Sequence, residues 1–371
     1  MPFAQPEPDK LTKAEIVLAS IRDEWLKRPG VTAIDLGFKW SHGQMTDEIA
    51  IRVHLNQKRP RSQLSNAELF PRQIQGIPVD IIEARYDIEE VDIEEPVTTE
   101  AAAFGYDQIY TEIPLGVSVG NRFVTAGTLG AKVIDQTTNE EMILSNWHVL
   151  AASDIPEIGE AIWQPGKLDG GNSLNRIAAL SRWVIGPFDA AVARLTGERT
   201  VLTRTVEGDV IEEATPVRLG MNVWKSGRTT GRTAGFVDGV QMTTSINYRQ
   251  VGPRQLTHVF RIVPPPGSNP DVEISLGGDS GSVWVDAASG KAVGLHFAGE
   301  AANDPNERAL AHDITVVADA LNFRFPNPPP PAPPEVPGPT ATTEPTGTVG
   351  PMPTTFIQRL IDWLLSLFGL K

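Results

Sequence analysis

The sequence predicts a mostly β protein with a small α+β segment in front of it. Short apolar runs separated by Gly and Pro recur between residues 109 and 323, a pattern typical of antiparallel strands in a barrel or a pair of packed sheets. Ahead of them, apolar residues at helical spacing are followed by runs with strand alternation. The composition favours a folded chain, because 40% of the 371 residues are hydrophobic and 21% are charged.

The N-terminal segment, residues 1–86, is predicted to be a small α+β accessory domain. Apolar residues from Lys10 to Lys27 recur at helical intervals, and Pro29-Gly30 ends that helix. Three strand-like runs follow, at 31–39, 48–56 and 77–82.

Composition divides the rest of the chain into four segments. They are an acidic linker at 87–108, a β-rich domain at 109–325, a Pro-rich linker at 326–353 and an apolar amphipathic helix at 354–371. The Pro-rich linker contains twelve prolines, so we expect an extended and unpacked spacer.

Charge and residue usage exclude several function classes. The 46 Asp and Glu outnumber the 32 Lys and Arg, and the net charge of −14 argues against nucleic acid as a partner. The absence of cysteine excludes disulfides, thiolate catalysis and Cys-rich zinc sites. The five His other than His148 show no paired ligand spacing, so neither a metal nor a cofactor is predicted. The first residues lack a basic start followed by an apolar run, which predicts a cytoplasmic protein.

Three local patterns together carry the chemistry of acyl transfer, which needs a nucleophile, a base, a group that orients the base, and donors for an oxyanion. His148 stands at the end of a strand, Asp189 opens a buried strand, and Ser280 lies in a glycine-rich turn. Alone, each has a structural explanation, as a satisfied histidine, a cap or a tight turn. Their joint occurrence in this order favours catalysis.

The set resembles the chymotrypsin-like serine proteases over about residues 109–323. Histidine, aspartate and serine follow that family's chain order, and Gly278-Asp279-Ser280-Gly281 is the most specific element. A hairpin, Ser226-Gly227-Arg228-Thr229-Thr230-Gly231, is similar to one in bacterial members. The N-terminal domain is similar, on fewer residues, to a domain that precedes the barrel in some bacterial and plant narrow-leaf-type homologues.

The resemblance implies two six-stranded antiparallel barrels with a cleft between them and a polypeptide substrate. It implies that Ser280 attacks the scissile carbonyl and that His148 takes the hydroxyl proton and returns it to the leaving amine. It also implies that Asp189 orients His148, and that the amides of Gly278 and Ser280 form the oxyanion hole.

The aspartate beside the nucleophile, Asp279, needs a cation if it is buried. The aligned candidate is Lys225 and the second candidate is Arg228. A cation already inside the chain predicts an enzyme that is active without N-terminal processing.

The resemblance also indicates three residues of the substrate pocket, Ile274, Phe297 and Gly299. Since Ile274 stands where trypsin carries an acidic residue, we expect apolar or small side chains rather than Arg or Lys before the cleaved bond.

Two further interpretations of the chain remain open beside the serine endopeptidase. A catalytically silent protease fold could bind peptides in its cleft, or the protease could process itself and release the C-terminal helix. A narrow polar stripe on that helix, formed by residues that recur at intervals of three and four from Thr355 to Gly369, predicts association with either a membrane surface or a protein groove.

Overall fold

The computed structural model describes residues 7–88, 105–269, 272–301 and 306–327. The predicted C-terminal helix and nearly all of the Pro-rich linker lie outside these ranges, as do residues 89–104 of the predicted acidic linker. Within the described ranges, no helix is both long enough and apolar enough to cross a bilayer.

The N-terminal segment folds as one helix on a small sheet. Pro8 opens the helix and Asp9 complements its N-terminal dipole, and the apolar positions face the sheet. The elements are α1 (Pro8–Trp25), β1 (Val31–Ser41), β2 (Gln44–Leu55), β3 (Gln73–Ile74), β4 (Ile77–Glu83) and β5 (Tyr86–Asp87).

A first barrel follows and carries two of the predicted catalytic residues. Strands β8 and β9 act as one bent strand, because the amide of Leu129 bonds back to Val117 and the amide of Gly130 bonds to Leu144. The ring then runs β7, β8/β9, β10, β13, β12, β11 and back to β7. The elements are β6 (Glu112–Leu115), β7 (Ser118–Asn121), β8 (Gly127–Thr128), β9 (Ala131–Asp135), β10 (Glu141–Ser145), α2 (Trp147–Leu150), β11 (Ala161–Trp163), β12 (Arg176–Ile185), β13 (Asp189–Leu195) and β14 (Thr200–Thr205).

A second barrel closes through six antiparallel pairings, in the order β15, β18, β19, β20, β17, β16 and back to β15. After it, α3 is capped by Asp313, whose side chain accepts a hydrogen bond from the Thr315 amide at 2.9 Å. The elements are β15 (Asn222–Gly227), β16 (Gly231–Tyr248), β17 (Gly252–Val263), β18 (Val283–Asp286), β19 (Ala292–Glu300), β20 (Ala309–Asp313), α3 (Ile314–Ala320) and β21 (Phe323–Arg324).

The prediction of a mostly β fold with two six-stranded antiparallel barrels and a small α+β region in front is therefore confirmed. The N-terminal sheet is continuous with the second barrel, because β1 pairs antiparallel with β16 and β5 pairs with β19. At the end of the predicted acidic linker, Tyr106 is only 2% exposed.

A buried ionic cluster joins the N-terminal sheet to the second barrel. Arg52 on β2 donates to Asp35 on β1, and it donates to Asp238 on β16 at 2.8 Å. Arg261 on β17 donates to the same Asp238, with 2.8 Å between Nε and Oδ1. All four side chains are at most 2% exposed. Buried charges are tolerated only when they are paired, so this cluster fixes the sheet of β1 and β2 against β16 and β17.

Candidate active site

The pairing of β10 with β13 brings His148 to Asp189. Ser145 at the end of β10 lies opposite Ala191, so the chain beyond Ser145 meets the start of β13. There α2 turns His148 back toward Asp189, with 2.5 Å between His148 Nδ1 and Asp189 Oδ2. The backbone amide of His148 donates to the other oxygen, Oδ1, at 3.2 Å. These two hydrogen bonds hold both the ring and the main chain of His148 on the carboxylate of Asp189.

The carboxylate of Asp189 stays ionised although it is fully buried. Burial favours the neutral acid, but the charge of His148 and the hydrogen bonds from His148 and Tyr248 outweigh it and hold the pKa of Asp189 below its usual value. Tyr248, at the end of β16, donates from its hydroxyl to Asp189 Oδ2 at 2.9 Å. Burial and this neighbouring charge raise the pKa of Tyr248 well above its usual value, so the phenol remains a donor.

The main chain of Asp189 is fixed as firmly as its side chain. Its carbonyl accepts from the side-chain Nδ2 of Asn146 at 2.8 Å, and its backbone amide donates to His312 Nε2 at 3.0 Å. Burial lowers the pKa of His312 to about 4, which keeps the ring neutral and able to accept. Phe297 stacks on that ring with 4.2 Å between centroids.

The loop that carries Ser280 lies against the first barrel at Gly127 and Thr128. Thr128 donates from its amide to Ser280 O and from its hydroxyl to Gly278 O, both at 2.8 Å. A Cβ at Gly127 would come within 2.5 Å of a Val149 methyl and 3.1 Å of Ser280 O. The Ser280 loop and the helix of His148 therefore contact the same glycine, which leaves no room for a side chain between them.

The hydroxyl of Ser280 makes no hydrogen bond to any other described residue, although its oxygen is buried. The side chain of His148 is also largely buried, with 6% of the residue exposed. A buried hydroxyl that lacks a hydrogen-bond partner is unusual in a folded protein.

Two backbone amides of the Ser280 loop also lack a hydrogen-bond partner among the described residues. Gly278 and Gly281 have φ of 98° and 94°, conformations that favour glycine. Asp279 donates to Leu276 O and Gly281 donates to His296 O, at 2.9 and 3.0 Å. The amides of Gly278 and Ser280, which alternate with these two along the loop, have no acceptor within the described part of the chain. They are therefore free to donate to an oxyanion.

Asp279 and Lys225 form a fully buried ion pair, with 3.0 Å between Lys225 Nζ and Asp279 Oδ2. The hairpin supplies further partners for the carboxylate of Asp279, because the backbone amides of Thr229 and Thr230 donate to its Oδ1 at 2.8 and 3.1 Å. Burial would raise the pKa of Asp279, but Lys225 and the hydrogen bonds from Thr230 and Thr229 lower it overall. The cation beside Asp279 is thus Lys225.

Arg228 lies in the same hairpin, but its side chain contacts a loop of the first barrel instead of Asp279. Its guanidinium pairs with Asp169, with 2.9 Å between Nε and Oδ2, and its amide donates to the Thr128 hydroxyl at 3.0 Å. The hairpin approaches the Ser280 loop closely at Gly227, where a Cβ would lie 2.4 Å from Asp279 Oδ1. Arg228 therefore joins the hairpin to the first barrel rather than compensating Asp279.

The three residues indicated for the substrate pocket have different surroundings. Ile274 is 1% exposed and packs in the apolar core shared by the second barrel and the N-terminal sheet. Phe297 is fully buried against His312. Gly299 lies on β19, where it pairs with Ala309 on one side and with Asp87 on the other.

Sequence reasoning missed Tyr248, His312 and Glu307, because no local motif marks them. Glu307 accepts hydrogen bonds from the amides of Ile274 and Ser275 at 2.9 and 3.3 Å. Its carboxylate lies within 4.8 Å of those of Glu273 and Glu300, and among the described residues these three have the spacing of a cation site. Burial and the charge of Glu300 raise the pKa of Glu307 to about 10.

The proton on Glu307 predicts a pH-dependent stability. An unfolded chain releases this proton near pH 4.5 and the folded chain keeps it to about pH 10, so the free energy of unfolding falls as pH rises between these values. We expect Glu307→Gln to lose less stability than the natural chain between pH 5 and 9, measured by urea denaturation. Glu157→Gln, at an exposed glutamate, is the control. The same pH slope in all three proteins would contradict this prediction.

Comparison with known proteins gives matches in structure alone. No protein-family model matches the chain, and no curated protein matches it in sequence. A Nocardiopsis protease is 17% identical, with a TM-score of 0.44 over 58% of this chain and 100% of its own. Protease A of Thermobifida fusca is 15% identical, with a TM-score of 0.42 over 58% of this chain and 98% of its own.

A third solved structure, a serine protease described as specific for glutamic acid, is 19% identical. It covers 57% of this chain and 98% of its own, with a TM-score of 0.43. At these values the likeness assigns no activity and no substrate to this chain.

Proposed function

We propose that the chain is a serine endopeptidase that hydrolyses peptide bonds through Ser280, His148 and Asp189. The observation that carries the proposal is the buried contact of 2.5 Å between His148 Nδ1 and Asp189 Oδ2. The Ser280 loop, packed across Gly127 from the helix of His148, supports it. An ionised carboxylate on Nδ1 holds the proton there, so Nε2 is left as the base.

The reaction proceeds in two halves. His148 Nε2 takes the hydroxyl proton as Ser280 Oγ bonds to the substrate carbonyl carbon, and then gives that proton to the leaving amine as the peptide bond breaks. The acyl group stays on Ser280. Water then attacks this ester with His148 as base again, which releases the acid and restores the hydroxyl.

Two charges develop during each half, and the chain offers a partner for both. The ring of His148 becomes cationic beside the ionised Asp189. The hydrogen bond from the Tyr248 hydroxyl stabilises the negative charge of Asp189. The carbonyl oxygen becomes anionic, and the unengaged amides of Gly278 and Ser280 are its donors. Lys225, by holding Asp279, keeps the backbone between these two amides in place.

Covalent labelling with a fluorophosphonate probe tests the proposal. We expect the intact chain to be labelled and Ser280→Ala to be unlabelled, because the probe reacts with an activated serine hydroxyl. Ser282→Ala is the matched control, since the Ser282 hydroxyl is also buried without a hydrogen-bond partner among the described residues. It should be labelled like the natural chain. Labelling of Ser280→Ala, or of no variant at all, would contradict the proposal.

A further inference from the structure

One edge of β19 is shared by the Ser280 loop and by a strand of the N-terminal segment. Leu295 pairs with Val283 of β18, and the bond from the Gly281 amide to His296 O continues this pairing to the residue after Ser280. Farther along β19, Gly299 pairs antiparallel with Asp87 of β5. At both places β20 pairs with the opposite side of β19, so β18 and β5 lie on one edge.

The short strand β5 is paired over more than its own two residues. The amide of Ala301 donates to Arg85 O at 3.0 Å, and the antiparallel alternation makes Asp87 and Gly299 the next hydrogen-bonded pair. The same register sets Ile88 opposite Ala298, one residue closer to the Ser280 loop. Ile88 packs on the apolar core of the barrels.

This edge is the place where an extended peptide near Ser280 would bind. This edge of β19 runs from the Gly281–His296 bond, beside Ser280, to Gly299, and the unpaired edge of a strand binds extended peptides through main-chain hydrogen bonds. The main-chain groups of Gly299 that such a peptide would use are those that pair with Asp87.

A buried anchor holds β5 on that edge. The hydroxyl of Tyr86 donates to His54 Nδ1 at 2.8 Å, and His54 Nε2 donates to Asp35 Oδ1 at 3.1 Å. Burial lowers the pKa of His54 to about 4, so the ring is neutral and its Nδ1 is an acceptor. Since Asp35 is also bonded to Arg52, the anchor connects β5 to the ionic cluster between the N-terminal sheet and the second barrel.

We propose that β5 is a tethered competitor of peptide substrate, which occupies the main-chain binding edge of β19 beside Ser280 and must leave it before a long peptide is cleaved. The inference rests on the proposed peptidase function and names a regulation of that same site. Small substrates that do not use Gly299 react without this displacement. Long peptides bind only to the fraction of molecules in which β5 has left, so their KM is raised.

Two variants test this proposal in the full-length chain. Tyr86→Phe removes the hydroxyl bonded to His54, and Tyr110→Phe, the matched control, removes a hydroxyl bonded to Gly105 O at 2.9 Å. We expect Tyr86→Phe to lower KM for a fluorogenic hexapeptide library about fivefold, the effect of one hydrogen bond worth about 1 kcal/mol. Hydrolysis of p-nitrophenyl acetate should be unchanged in both variants.

Equal KM values for the peptides in the natural chain and Tyr86→Phe, or equal changes in both variants, would overturn the proposal. If fluorophosphonate labels no protein, the proposed peptidase function is rejected. The binding of a peptide then tests whether β5 competes for the edge of β19. The probe is then a fluorescent peptide with the sequence of Glu83–Ile88, added to Ser280→Ala chains. Tighter binding with Tyr86→Phe than with Tyr110→Phe supports the competitor, and equal binding overturns it.

Discussion

Asp189→Asn is expected to lower kcat for ester and peptide hydrolysis about 10⁴-fold. The carboxylate accepts from the His148 amide, from His148 Nδ1 and from the Tyr248 hydroxyl. An asparagine offers one oxygen in place of two, and its NH₂ group can only donate. An amide that faces Nδ1 with its donor drives the imidazole proton to Nε2, which leaves no base for Ser280.

The measurement is steady-state hydrolysis of p-nitrophenyl acetate and of the hexapeptide library. Asp135→Asn is the matched control, because Asp135 is also largely buried and accepts from the amides of Thr137 and Thr138 at 2.7 and 2.8 Å. We expect that variant to lose stability and to keep its activity. Activity of Asp189→Asn within tenfold of the natural chain would contradict the assignment of Asp189.

Local sequence patterns predicted the residues that carry the proposed chemistry and missed those that support them. His148 and Ser280 stand in short motifs, and Asp189 opens a run that reads as a buried strand. Tyr248 has no such context. It reaches Asp189 because β16 is long enough to bring its end beside the first barrel, across 59 residues of sequence. Contacts of this kind follow from the assembled sheets and leave no periodic signal.

The strand β2 shows a second limit of pattern reasoning. Its alternating apolar residues predict one buried and one exposed face, yet Arg52 and His54, on the other face, are fully buried. The sheet of β1 and β2 continues into the second barrel, so the face that would meet water carries the ionic cluster with Asp238 instead. That partner lies 186 residues away, so no local pattern around Arg52 marks the pairing.

Lys225→Met is expected to lower the free energy of unfolding by about 3–5 kcal/mol, the typical cost of breaking a buried ion pair by removing one partner. Both side chains are fully buried, so water cannot replace the ammonium beside Asp279. In the natural chain, the depressed pKa of Asp279 stabilises the fold above the unfolded value of 3.8, and this contribution is lost as pH falls through the lower folded value.

Removing Lys225 reverses this pH dependence. Burial then raises the pKa of Asp279, so the variant loses stability as pH rises above about 4, where the unfolded carboxyl ionises. Urea denaturation at pH 5 and 8 measures the slope.

Lys132→Met, which breaks the half-exposed pair with Glu141, should cost no more than about 1 kcal/mol. The double variant Lys225→Met/Asp279→Asn should recover part of the loss, because it removes the unpaired charge. A loss for Lys225→Met no larger than that of Lys132→Met would show that Asp279 does not depend on this cation. The backbone that carries the Gly278 and Ser280 amides would then be held by the hairpin hydrogen bonds alone.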